Sequence, residues 1–128
     1  MVLHHTAIIV SDEVSAVRFY GILGFSVRER HERPEKNDVL LFLSDGTSTL
    51  ELFVKPDAPA RLTSPEALGL RHIAFECDDL DALCAAFAEA GFPAEDIRVD
   101  PLCGTRFTFV RDPDGLPVEL RLLFLKEK

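Results

Sequence analysis

The sequence has few of the features that send a chain to a membrane, to export or to a nucleic acid. No apolar run approaches the roughly 20 residues needed to cross a bilayer. The opening MVLHHTAII has neither the basic stretch nor the cleavage site of a signal peptide. Three cysteines, Cys77, Cys84 and Cys103, are an odd number with no C-x-x-C spacing, so reduced thiols are expected. Positive charge is also short. Fourteen Lys and Arg face 22 Asp and Glu, a formal net charge of −8. That excludes nucleic acid or an anionic membrane as the main partner. It leaves room for a small anionic ligand held by a local cluster of Arg and Lys. The expectation is a soluble cytoplasmic protein acting on a small molecule.

What is present is ordinary in amount and unusual in arrangement. The 128 residues suit a single domain, and 47% hydrophobic content with 28% charge supports a normal core. The chain repeats itself. HTAIIVSDEVSAVRFYGILGF, from His5, aligns without a gap on HIAFECDDLDALCAAFAEAGF, from His72, an offset of 67 positions. His5 meets His72, Ala7 meets Ala74, Asp12 meets Asp79, and Gly24 with Phe25 meets Gly91 with Phe92.

Each block reads as a strand followed by a helix. Ser11 or Asp12 caps the first helix, with Val14, Val17 and Phe19 or Tyr20 facing inward and Gly24 ending it. Asp78 or Asp79 caps the second, and Leu80, Leu83, Cys84 and Phe87 form an i, i+3, i+4, i+7 stripe that Gly91 closes. Strands follow. FSVRERH is one, VLLFLSDGTSTLELFV is a hairpin turning at Asp45-Gly46, and RFTFVRDPDGLPVELRLL turns near Asp114-Gly115. Module 1 covers about 1–55, a Pro- and Ala-rich connection about 56–69, and module 2 about 70–125. HERPEKND, with His31, reads as a solvated loop near the site entrance, and the terminal FLKEK as a frayed end.

The repeat also matches two glutamates, Glu51 in TLELFV and Glu119 in PVELRLL, at an offset of 68. Both stand mid-strand between apolar residues, where an ionised carboxylate is costly without a partner. A lone strand histidine or glutamate is ordinarily structural. Four in repeat-equivalent positions are better explained by a divalent cation. Around a pseudo-twofold axis His5 and His72 approach each other, as do Glu51 and Glu119. A mixed N/O set suits Ni²⁺, Co²⁺, Zn²⁺, Mn²⁺ or Fe²⁺.

HHTAIIV, STLELF, GLRHIAF and RDPDGLPVEL together resemble the vicinal oxygen chelate superfamily, which includes glyoxalase I, methylmalonyl-CoA epimerase, extradiol dioxygenases and the fosfomycin- and bleomycin-resistance proteins. The resemblance implies an α+β fold of two tandem βαβββ modules forming an open, cup-like mixed sheet around the metal. The set His5, Glu51, His72 and Glu119 is similar to that of glyoxalase I. This implies a lactoylglutathione lyase-like isomerase, using Ni, Co, Zn or Mn on the hemithioacetal of methylglyoxal and a thiol such as glutathione. Glu119 would be the base and Glu51 its pseudo-symmetric counterpart. The alternatives are a non-catalytic small-molecule or metal-binding module, an epimerase of the same superfamily, or an Fe-dependent dioxygenase. A homodimer is implied as well, with sites either within a chain or shared.

Two positions depart from the glyoxalase I pattern. Where many bacterial members place Arg four residues after the first histidine this chain has Ile9, and where they tend to place Asn four past the first glutamate it has Lys55. Lys55, Arg71 and Arg106 are the cations that could take over contact with an acidic substrate. Phe107 and Phe109 alternate on one strand face and read as core or pocket wall. His4, matched by Arg71, should face away from His5 by strand alternation.

Overall fold

The computed structural model describes residues 1–123, so the expectation for FLKEK falls outside the described residues. Contacts divide the chain into two units, Met1–Ala60 and the residues from Arg61 onward. In the first, β1 (Thr6–Val10) leads into α1 (Glu13–Ile22), followed by β2 (Ser26–Arg33), β3 (Asp38–Ser44) and β4 (Thr49–Val54). The strand order is β1-β4-β3-β2. β1 lies parallel to β4, and the other pairs are antiparallel. A parallel neighbour needs a long crossover, which α1 and the following strands provide.

The Asp12 carboxylate caps α1 by accepting the Ser15 N–H at 2.9 Å. Gly24, at φ +97°, takes the left-handed position just beyond its end, where a Cβ would be strained. The helix buries Ala16, Phe19 and Tyr20, an i, i+3, i+4 row. Val14, expected inward, is 69% exposed. Two residues correspond to about 200° of helix rotation, so burying Ala16 turns Val14 to the far side.

The second unit repeats the plan with β5 (Ile73–Cys77), α2 (Leu80–Glu89), β6 (Arg98–Val99), β7 (Arg106–Arg111) and β8 (Pro117–Leu122). Its strand order is β5-β8-β7-β6, with β5 parallel to β8. Asp79 caps α2 through the Ala82 N–H at 3.0 Å. Leu80 and Phe87 are buried and Leu83 and Cys84 half-buried, which is the expected stripe. Each unit is thus an α+β βαβββ module. Among the described residues no helix is long and apolar enough to cross a membrane.

HERPEKND is not simply a loop. β2 continues through His31 to Arg33, and only Pro34–Lys36 forms a 3-10 turn, followed by Asn37 at φ 53°. Cross-strand pairing explains this: His31 lies opposite Leu40 and its ring meets Phe42 edge-on at 5.9 Å. Such contacts outweigh a polar composition.

The sheets have one buried row and one open row. Along β4, Leu50, Leu52 and Val54 are buried, while Thr49, Glu51 and Phe53 alternate on the other face. On β8, Val118 and Leu120 are fully buried and Glu119 alternates between them. Both glutamates therefore stand on the face that does not form the module's core.

Candidate metal centre

In the first module Ala7 pairs across the strands with Glu51, and in the second Ala74 pairs with Glu119. The histidines lie two residues before those alanines, at the mouth of each parallel strand pair. His5 Nε2 contacts Glu51 Oε2 directly. His72 Nε2 is 3.8 Å from Glu119 Oε1. The carboxylates are only 12% and 11% exposed, whereas the imidazoles are 38% and 28% exposed. Each module therefore sets an accessible imidazole over a nearly buried carboxylate. Among the described residues no three His, Cys, Asp or Glu side chains form a group able to hold a metal ion. The four residues stand as two equivalent pairs, one per module.

Both pairs suit a divalent cation in donor type, and the second pair also in spacing. Metal bonds to imidazole nitrogen and carboxylate oxygen are about 2.1 Å long, so one ion can touch two atoms up to roughly 4 Å apart. The 3.8 Å gap between His72 and Glu119 lies inside that limit.

Strand alternation does not separate His4 from His5. Their Nδ1 atoms are 2.8 Å apart and their rings meet edge-on. Alternation holds only inside a strand, and β1 begins at Thr6. The repeat-equivalent Arg71 likewise brings Nη1 to 3.5 Å from His72 Nδ1. In both modules the preceding residue approaches the Nδ1 side of the histidine, opposite the nitrogen that meets the glutamate. A partner at Nδ1 fixes which ring nitrogen is free to bind.

Arg121 was not singled out by sequence reasoning, although its i+2 spacing from Glu119 on a strand was the available signal. Its Nη1 donates to Glu119 Oε2 at 3.0 Å and its Nη2 to Asp100 Oδ2 at 2.9 Å. The Leu102 backbone N–H and Arg121 hold the Asp100 carboxyl below the usual carboxylate range. Glu119 thus has one oxygen tied down and the other turned toward His72. Phe109, the cross-strand partner of Glu119, stands edge-on to the His72 ring at 5.2 Å. The expectation that this aromatic row lines a wall agrees with its half-buried state.

The three cations considered for substrate contact part company. Lys55 Nζ donates to the buried Asp38 at 2.8 Å. Arg106 forms a two-pronged pair with Asp81 of α2 at 3.0 and 3.1 Å. Arg71 borders a cavity in the second module. Ile9, 57% exposed, lies opposite Phe53, so the first module offers apolar surface where the glyoxalase I pattern has a guanidinium. Burial pushes the Cys77 and Cys84 thiols up, away from the reactive thiolate form.

Two βαβββ modules, each with a His–Glu pair at the mouth of its parallel strands, define the class. Residues 2–120 match the model of the Glyoxalase/Bleomycin resistance protein/Dioxygenase superfamily, and the chain belongs to that family. It is 48% identical over 120 residues to the uncharacterized protein YwkD of Bacillus subtilis (strain 168), covering 92% of this chain and 94% of that one. It is 30% identical to a probable lactoylglutathione lyase of Vibrio cholerae, covering 91% of this chain and 86% of the relative. The crystal structure of a glyoxalase family protein from Enterococcus faecalis superposes with a TM-score of 0.87 at 45% identity, covering 93% and 95% of the two chains.

Proposed function

We propose that the chain is a metal-dependent isomerase of the glyoxalase I type, acting on the hemithioacetal of methylglyoxal and a thiol. The observation that carries this reading is the repeated pair: His5 with Glu51 and His72 with Glu119, at equivalent strand positions and with their carboxylates nearly buried. The kinship with a probable lactoylglutathione lyase supports it. His5, Glu51, His72 and Glu119 would hold Ni, Co, Zn or Mn. Once bound, such an ion polarises two adjacent substrate oxygens and acidifies the C–H between them.

The protein's own groups then move the proton. Glu119 takes it from carbon through Oε1 and returns it to the neighbouring carbon, while Arg121 keeps Oε2 in place. Glu51 is the counterpart for the opposite substrate face. His4 Nδ1 stands 2.8 Å from His5 Nδ1, and a proton held between these two nitrogens would keep the His5 Nε2 lone pair for the ion.

Metal analysis of the purified protein, followed by thioester formation from methylglyoxal and thiol with each metal, tests the reading. One ion per site and turnover are expected. E119Q should lower turnover by about two to four orders of magnitude. Full activity in E119Q rejects Glu119 as the base. Stoichiometric metal without turnover with any thiol rejects the isomerase and leaves a binding module.

A further inference from the structure

The second module contains a cavity of about 680 Å³ bordered by four guanidinium groups, Arg61, Arg71, Arg98 and Arg111, with Phe109 as an apolar wall. That volume is typical of small-molecule sites. The lining carboxylates are Glu66, Glu95 and Asp114, so cations outnumber them four to three in a chain whose net charge is −8. An acidic protein has concentrated positive charge at one concave place.

The pairing inside the cavity is uneven. Arg71 Nε meets Glu66 at 2.7 Å. Glu95 is shared, with Arg98 at 3.0 Å and Arg111 at 3.6 Å. Arg61 Nη2 instead donates to the carbonyl oxygens of Leu70 and Arg71 at 3.1 and 3.0 Å. These neutral acceptors anchor the guanidinium without balancing its charge. Arg98 lies over the Phe109 ring at 5.7 Å, which holds its plane against the wall. A planar guanidinium with spare donors matches carboxylate and phosphate oxygens.

The cavity adjoins the second His–Glu pair. Phe109 is in edge contact with His72 and is the cross-strand partner of Glu119, and Arg71 directly precedes His72. We propose that this cavity binds an acidic group of the substrate, a carboxylate or a phosphate, with Arg61 and Arg98 as its charge contacts. The inference rests on the reading of His72 and Glu119 as reaction-site residues. It narrows the substrates to acidic thiol adducts or acidic hydroxycarbonyl compounds, and places their recognition in module 2 rather than at Ile9.

The test uses metal-free protein, so it depends on neither metal nor turnover. Arginine Nε–H resonances are followed during titration with succinate, inorganic phosphate and, as the neutral control, succinamide. Saturable shifts at Arg61 and Arg98 with succinate or phosphate, and none with succinamide, are expected. Response to succinate marks a carboxylate site, and response to phosphate alone a phosphate site. R61Q should weaken the anion by about tenfold, as expected for losing one charge-assisted hydrogen bond. R98Q, which leaves the Arg61 tether intact, should weaken it as well. Absence of saturable shifts with both anions, or equal affinity in wild type and R98Q, overturns the proposal while leaving the metal-site reading untouched. A metal-free preparation that binds succinate but never binds a divalent ion does the reverse.

Discussion

Asp38 is the most confined carboxylate of the first module. Its side chain is fully buried and receives Arg33 at 2.7 Å and Lys55 at 2.8 Å. Hydrogen bonds from Arg33 and then Lys55 hold its carboxyl well below the usual carboxylate range. The unfolded chain would show an ordinary value of about 3.9. The folded state therefore gains stability from ionised Asp38 above that value, and loses the gain as pH falls from about 4 toward the depressed folded value. Urea unfolding of wild type and D38N should show wild type well ahead at neutral pH, with the difference shrinking steadily below about pH 4. A pH-independent difference would show that the cluster contributes through packing alone. The same cluster explains why Lys55 is no substitute for a substrate contact. From the sequence, Lys55 could only be placed four residues past Glu51. That it reaches back to Asp38, on the adjacent strand, depends on the β3–β4 register. His5, Glu51, His72 and Glu119 stand out as candidates in the sequence because they recur at matching places in the two repeats and a glutamate amid apolar strand residues conflicts with its surroundings. Arg121 was not, since an arginine on a strand is usually solvated and its partner Asp100 lies in a loop with no periodicity.

At the level of elements, the two helices are bounded by the same devices at equivalent places. Asp12 and Asp79 cap them, and Gly24 and Gly91 stand at φ +97° and +90° beyond them. These signals are local, so they could be read directly from the sequence. D79A removes the acceptor for the Ala82 N–H and should cost about 1 kcal/mol. For a domain of this size that lowers the melting temperature by roughly 3–6 °C, measurable by circular dichroism. D12A should shift it in the same direction. An unchanged melting temperature in D79A would mean that the first turn of α2 is held by packing instead. The hairpins around Asp45-Gly46 and Asp114-Gly115 were equally plain. β6 was not: it has only two residues, Arg98 and Val99, paired with Phe107 and Arg106. Two residues carry no alternation, so their strand state comes entirely from the partner. Val14 failed for a related reason, since either of two faces of α1 offered apolar residues and only packing chose between them.

At the level of the whole molecule, the duplication gives each module half of the proposed ligand set, and the proposed function depends on bringing the halves together. Each module offers one His–Glu pair, and members of this family commonly form dimers. The proposed set is completed either within one chain or by a second copy, and complementation separates the two arrangements. H5A removes a proposed ligand from the first module and H72A one from the second, so each variant alone should bind metal poorly and be inactive. Co-expressed, they would assemble heterodimers in which one site draws His5 from the H72A chain and His72 from the H5A chain. That site is intact. Random pairing makes half the dimers mixed, each with one intact site of two, so about a quarter of wild-type activity and metal content should return. If the four ligands meet inside a single chain, every site in the mixture lacks one histidine and nothing returns. Recovery near a quarter, measured with the dimer population verified by light scattering, would show that the two modules of one chain serve two different sites.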